Sequence, residues 1–165
     1  MVQEQPEWLT DAELEAWLSV VRLMTWLPYS LDQQLRRDSK LGMAEYQALA
    51  MLSQRPGRTM RMSSLAAATN SSLSRLSHLI ERLERRGLVR REPDPVDGRF
   101  TNAILAEDGA RTLAQAAPGH VAHARSLVID AISPRQLRRL ARDAERILSR
   151  IGVARTSEWT SQRPG

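Results

Sequence analysis

The sequence predicts a mainly α fold of the α+β class, in which a helix-turn-helix runs into a two-stranded hairpin and long helices flank both. Three observations predict it. Apolar residues recur at helical spacing through Asp11–Asp38 and again through Leu137–Ile151. A run of capping residues, Thr69-Asn70-Ser71, separates a short helical segment from a longer amphipathic one. Two short β-prone runs, Val89–Glu92 and Thr101–Ala106, bracket a tip rich in Pro, Asp and Gly.

Taken in order, Asp11 to Asp38 reads as helix because Trp17, Val20, Val21, Met24, Leu27, Leu31 and Leu35 fall on one side. Thr10 or Asp11 is the expected N-cap. Glu13 and Glu15 sit in the first turn, where the positive end of the helix dipole favours carboxylates. Pro28 predicts a kink or a break near Leu27. Gly42 marks a boundary before a second helix, Met43 to Ser53, with Tyr46, Leu49 and Leu52 on one side and Arg55-Pro56-Gly57 at its end. A short segment, Arg58 to Met62, follows, and Ser63 is expected to cap a short helix over 64–68. Beyond the turn, Leu73, Leu76, Ile80 and Leu83 line one face of a long helix that begins at Ser71 and stops at Gly87. The hairpin has Pro93, Asp94, Pro95, Asp97 and Gly98 at its tip. From Glu107 the chain is helical again to about Ala131, with Pro118-Gly119 expected to break or kink it. Ser133 caps a last helix with Pro134 at its first position. Leu137, Leu140, Ala141, Ala144, Ile147, Leu148 and Ile151 form its apolar stripe. Residues 154–165 show no pattern and are expected to be mobile.

The chain of 165 residues is 42% hydrophobic and 26% charged, which suits a globular protein able to bury a core without staples. It has no cysteine, which excludes a disulfide framework, a thiolate metal site and a thiol redox sensor. The first ten residues carry Glu4 and Glu7 and no apolar run, so no secretory signal is expected. The least charged long stretch, Thr112 to Ala124, holds Gln115, Pro118, Gly119, His120 and His123, and cannot span a bilayer. A cytoplasmic protein with no membrane partner is expected. The net charge is +5, and its position matters more than its size. Between Arg55 and Arg99 basic residues outnumber acidic ones ten to five; elsewhere the two balance at fourteen each. An excess confined to the middle third is the footprint of a nucleic-acid-binding module between neutral segments. All basic residues except Lys40 are arginine, a usage that a GC-rich genome would also produce.

A helix, a tight turn, a longer helix and a hairpin in that order define a winged helix-turn-helix. The face of the long helix opposite its apolar side carries Ser71, Ser72, Ser74, Arg75 and His78, with no acidic residue before Glu81, and Arg82 continues it. A recognition helix reads base edges in the major groove with its N-terminal residues. Small hydroxyls permit close approach, Arg pairs bidentately with guanine, and the positive helix end favours phosphate. On a lone helix the serines would be read as caps and Arg75 as a solvated charge. The adjoining hairpin tips the reading to DNA. Arg90 and Arg91 at the hairpin base are candidate phosphate contacts, as are Arg58 and Arg61, with a solvated face as the competing reading.

The run from Leu65 to Gly109 resembles the MarR family of bacterial transcriptional regulators. The resemblance rests on Leu65-Ala66, Ser74-Arg75-Leu76, Leu83-Glu84-Arg85-Arg86-Gly87-Leu88-Val89, Arg91, Asp97-Gly98-Arg99, Leu105 and Gly109. It implies that the helix 71–87 enters the major groove, that Arg99 reaches the adjacent minor groove, and that Asp97 holds that arginine in position. An Asp two residues earlier makes sense of the last point, because it can pre-order the guanidinium of a loop. An Asp-Gly pair is also a plain turn signal. The resemblance further implies a homodimer, built by an N-terminal dimerisation helix (1–40) and C-terminal dimerisation helices (107–153) around a DNA-binding lobe (41–106). A pseudo-palindromic double-stranded operator follows from two-fold symmetry. Pro28 and Ala106 depart from the family pattern.

Relatives commonly bind small phenolic or anionic ligands, and Trp17, Trp26, Tyr29, Met43 and Tyr46 are the candidate effector pocket; the competing reading makes them core and interface residues. His120 and His123 lack a third ligand, so no metal is expected. No phosphate-binding Gly loop, HExxH motif or nucleophile elbow is present, and neither enzymatic activity nor a cofactor is expected. The leading expectation is a DNA-binding regulator, usually a repressor. The alternatives are a winged-helix interaction module that no longer binds DNA, which the intact basic bias opposes, and a constitutive DNA binder without an effector.

Overall fold

A computed structural model describes residues 7–153. Residues 1–6 and the expected tail 154–165 lie outside the described residues. Helix α1 spans Asp11–Ser39, and Thr10 caps it: its hydroxyl accepts from Glu13 N while the Glu13 carboxylate accepts from Thr10 N at 2.8 Å. Of the kink or break expected near Leu27, the break does not occur, for α1 is a single helix through Pro28. Pro28 is exposed, so water can satisfy the Met24 carbonyl that loses its intrahelical donor. Helix α2 (Met43–Ser53) follows, with Asp32 accepting from Met43 N at 2.7 Å and Glu45 from Gly42 N at 2.9 Å. These carboxylates satisfy N–H groups that a helix start leaves open.

A 3₁₀ turn at Pro56–Arg58 leads into strand β1 (Thr59–Arg61) and helix α3 (Met62–Ala68). Two expectations are corrected here. The segment before α3 contains a strand, and the N-cap of α3 is Arg61 rather than Ser63. Asn70 takes the left-handed conformation in the turn, and Ser71 N donates to Ala66 O at 2.9 Å. Helix α4 spans Leu73–Arg85, with Ser72 as N-cap accepting from Arg75 N, so the helix starts two residues after Ser71. Gly87, at φ +71°, turns the chain out of α4 into the hairpin of β2 (Val89–Pro93) and β3 (Thr101–Leu105). The sheet is antiparallel with order β1-β3-β2, pairing Met60 with Ala103 and Val89 with Leu105. The two-stranded wing thus carries a third strand on its inner edge.

Helix α5 (Glu107–Ala124) runs through Pro118 without a break into a π-helical turn at Arg125–Ile129. Its start is pressed onto the wing base: a Cβ on Gly109 would lie 2.1 Å from the Leu88 carbonyl oxygen. Helix α6 (Pro134–Ile151) has Ser133 as its N-cap, as expected. The chain divides into two compact units between His123 and Ala124. In the first unit Leu35, Leu41, Leu49, Leu52, Leu65, Leu76, Leu79, Ile80, Leu83, Val89 and Leu105 form one core. Leu79 takes the place the sequence reading gave to Leu73, which is 54% exposed. Burial of these aliphatic side chains is what holds α4 and the hairpin in register, at about 1.5–3 kcal/mol for each fully buried one. Among the described residues no helix is long and apolar enough to cross a membrane.

Candidate nucleic-acid interface

The core grips α4 by Leu76, Leu79, Ile80 and Leu83, so its opposite face is presented outward at the N-terminal end. Ser72, Ser74, Arg75, His78 and Arg82 are exposed there, and Ser71 is half-buried in the turn. The exposed end separates two hollows. One lies toward α2 and is lined by Asn70, Ser71, Arg75, His78 and Arg82. The other lies toward the wing and is lined by Leu73, Ser77, Arg61, Arg91, Arg99 and Phe100. Of the expected contact residues, Ser71, Arg75, His78 and Arg82 line the first hollow and Arg91 and Arg99 the second, while Ser72, Ser74, Arg90 and Asp97 line neither.

Most of these cations have a carboxylate neighbour, so they do not form a plain basic patch. Arg75 has no carboxylate partner among the described residues. Arg82 faces Glu45 at 3.6 Å and Arg86 faces the same carboxylate at 3.3 Å, which ties the outer side of α4 to α2. His78 lies 3.8 Å from Glu81. Arg91 is held to Glu84 by its backbone N–H at 3.0 Å and its Nε at 2.8 Å, and the Arg91 guanidinium keeps the Glu84 carboxyl below the ordinary carboxylate value. Arg90 pairs with Glu92 at 2.6 Å, and Arg58 with Glu107 at 2.9 Å.

The wing tip is organised by two aspartates. Asp97 accepts from Arg99 Nε at 2.9 Å, Nη2 at 2.7 Å and backbone N at 3.2 Å, while the Arg99 side chain stays 86% exposed. The side-chain bonds from Arg99, then its backbone N–H, lower the Asp97 pKa. Asp94 was read from sequence only as a turn residue. It accepts from Val96 N, Asp97 N, Arg61 Nε and Asn102 Nδ2, and the two backbone N–H groups, Asp97 first, bring its pKa to about 2. Backbone bonds Asp94 N to Phe100 O and Phe100 N to Asp97 O close the loop around it. Arg61 also lies over the Phe100 ring, 4.6 Å from its centroid. An Asp two residues before an open N–H is a recognised turn pattern, so the local part of this hub had a sequence signal. Its bond to Arg61, 33 residues away, had none.

The five residues expected to form an effector pocket divide within the chain. Trp17, Trp26 and Tyr29 are exposed on α1, and Trp26 meets Tyr29 edge-to-face at 5.9 Å. Tyr46 is buried, with its ring 4.5 Å from that of His120, and Met43 is half-buried beside the core. His120 bonds Gln34 at 3.3 Å and His123 bonds Ser30 at 3.1 Å, so both histidines face α1.

The chain is similar to known proteins in sequence and fold. The model of the MarR family matches residues 39–99. The transcriptional regulator HosA of Escherichia coli O111:H- is 35% identical over 74 residues, and the match spans 45% of this chain and 53% of that one, about half its length. The crystal structure of Sco3205, a MarR family transcriptional regulator from Streptomyces coelicolor, in complex with DNA, is 38% identical with a TM-score of 0.84, covering 95% of this chain and 97% of the other. AbsC, a MarR family transcriptional regulator from Streptomyces coelicolor, is 39% identical with a TM-score of 0.85, covering 90% of this chain and all of the other.

Proposed function

We propose, from the premise that the chain belongs to the MarR family of transcriptional regulators, that it is a homodimeric repressor binding a pseudo-palindromic operator in double-stranded DNA. The observation that carries the DNA reading is the grip of Asp97 on Arg99 at an exposed hairpin tip. A guanidinium already fixed loses little freedom when it enters a narrow minor groove. Ser72, Ser74, Arg75 and His78 then read the major groove from the N-terminal end of α4. Exposed apolar side chains support the dimer: Leu14, Trp17, Leu18 and Met24 on α1, and, within the second unit, Leu140, Ile147 and Leu148 on α6. Two copies related by a two-fold axis would place half-sites about one helical turn apart.

Fluorescence-polarisation titrations on a selected and a scrambled duplex test this. Arg75→Ala is expected to relax discrimination at particular bases. Arg99→Ala is expected to weaken binding through the flanking A·T-rich segment. Unchanged affinity in both variants would overturn the assignment. Release by a small aromatic or anionic ligand belongs to the same proposal, and calorimetric titration with a panel of aromatic acids separates it from constitutive binding.

A further inference from the structure

Charge without a counter-charge collects near the two ends of the chain. No basic residue precedes Arg22, while Glu7, Asp11, Glu13 and Glu15 crowd residues 7–15. Glu13 is engaged in the Thr10 cap. Asp11 and Glu15 are exposed and have no cationic partner among the described residues. The dipole of α1 favours Asp11 in its first turn, but Glu15 lies beyond that turn. Helix α6, in the second unit, shows the converse. Its sequence holds Arg135, Arg138, Arg139, Arg142, Arg146 and Arg150 against only Asp143 and Glu145. Asp143 lies 3.6 Å from Arg139 and 3.4 Å from Arg146. Arg135, Arg138, Arg142 and Arg150 are exposed and have no carboxylate partner among the described residues. No acidic residue stands in the first turn of α6, and Arg135 and Arg138 lie near that end, where the dipole opposes a cation. In the DNA-binding lobe, by contrast, Arg61, Arg82, Arg91 and Arg99 each face a carboxylate.

The chain's own acidic end is the complement that α6 lacks. Asp11 and Glu15 are four residues apart on a helix, as are Arg138 and Arg142, so the two pairs match in spacing. Both stretches also expose apolar side chains, Leu14 and Leu18 on α1 and Leu140 and Ile147 on α6. Apolar contacts bordered by opposite charges are how paired helices choose partner and orientation. We propose that in a dimer of this chain the acidic start of α1 in one copy lies against α6 of the other, with Asp11 and Glu15 paired to Arg138 and Arg142. Two-fold symmetry repeats the contact and doubles the number of ion pairs. The inference rests on the dimer proposed above and adds what selects the mate. A copy is recognised by charge as well as by apolar surface, and a chain with like charge on both helices is refused. Exposed ion pairs are individually weak, so the contact depends on their acting as a set.

The test is subunit exchange between full-length chains, followed by native mass spectrometry, with dimer dissociation measured by sedimentation over a concentration series. One variant, Asp11→Lys/Glu15→Lys, carries a basic pair on both helices. The other, Arg138→Glu/Arg142→Glu, carries an acidic pair on both. Each alone is expected to dimerise about ten- to a hundredfold more weakly than wild type. Mixed in equal amounts, they are expected to form the heterodimer in clear excess over the half share of random exchange, because opposite charges then meet at both contacts. That rescue separates pairing between copies from a folding defect or from pairing within a copy, neither of which mixing repairs. The wild-type dimer is expected to weaken as KCl is raised. If both variants dimerise like wild type and exchange at random, the charged contact is absent. Weakened variants that mixing does not restore would equally overturn it. If the wild-type chain itself stays monomeric, the dimer reading falls, and not the pairing alone.

Discussion

Gly109→Ala should destabilise the protein although alanine is the better helix former. The added Cβ would sit 2.1 Å from the Leu88 carbonyl oxygen, 2.8 Å from Leu105 Cδ1 and 3.0 Å from the Leu88 carbonyl carbon. Carbon and oxygen come no closer than roughly 3.3 Å even in weak C–H···O contacts, so the start of α5 must retreat by about 1 Å. The Leu88 carbonyl already accepts from Ala106 N at 3.1 Å, and a retreat stretches that bond. Overpacking costs about 1–3 kcal/mol, and loss of the turn hydrogen bond about 1 kcal/mol. Helix propensity returns about 1 kcal/mol. The net loss is about 2 kcal/mol, which for a chain of this size lowers Tm by about 4–8 °C. Gly119 in the same helix is the control. There a Cβ would meet only Gln34 Nε2 at 3.5 Å, an ordinary contact. Gly119→Ala should therefore raise Tm by about 1–4 °C, from a propensity gain of up to about 1 kcal/mol. Thermal denaturation followed by circular dichroism, at one fixed protein concentration because the Tm of any self-associating protein depends on it, measures both. A rise in Tm for both variants would refute the steric reasoning. Because Leu88 leads directly into β2, Gly109→Ala should also weaken binding to the duplex.

Three further outcomes follow from the same geometry. Asp97→Ala frees Arg99 without removing it, and should weaken duplex binding about two- to tenfold, the scale of ordering one flexible side chain, with Tm unchanged; equal affinity in a polarisation titration would show the pairing to be irrelevant. Glu45→Gln keeps an acceptor for Gly42 N but releases Arg82 and Arg86, and should steepen the salt dependence of non-specific DNA binding by about one to two. An unaltered slope would mean that the two arginines stay away from phosphate. Burial, and after it the neighbouring His123, holds His120 below the ordinary histidine pKa. The unfolded chain therefore takes up a proton first. Its contribution to stability is complete above the unfolded value of about 6.5 and is lost as pH falls through the lower folded value. Urea midpoints should drop from about pH 7 to about pH 5, and His120→Gln should flatten that drop.

Much of the fold was legible from local chemistry alone. The caps at Thr10 and Ser133, the bounds Met43–Ser53, and the two wing strands to within a residue came from side chains acting on their own neighbourhood. A hydroxyl bonding an N–H three residues on, or a proline at the first helical position, works without tertiary help. The Asp97–Arg99 pair was implied by the family resemblance, and its partners, two residues apart, are local as well. What the sequence could not supply lies between distant residues. Strand β1 is three residues long and exists because Met60 pairs with Ala103; a run that short has no periodicity to read. Leu73 and Leu79 both fit a helical stripe, and only the packing of the core against α4 decided that Leu79 is buried and Leu73 open. Pro28 could have broken α1, and its exposed position let the helix continue. The neutralisation of Arg82 and Arg86 by Glu45, and of Arg61 by Asp94, spans 33 to 41 residues of chain. The sequence by itself determined the long helices, the wing hairpin, the basic middle third and the arginine at the wing tip. Tertiary structure alone decided which arginines meet a carboxylate from a distant part of the chain, because a charge is screened by whatever the fold brings beside it.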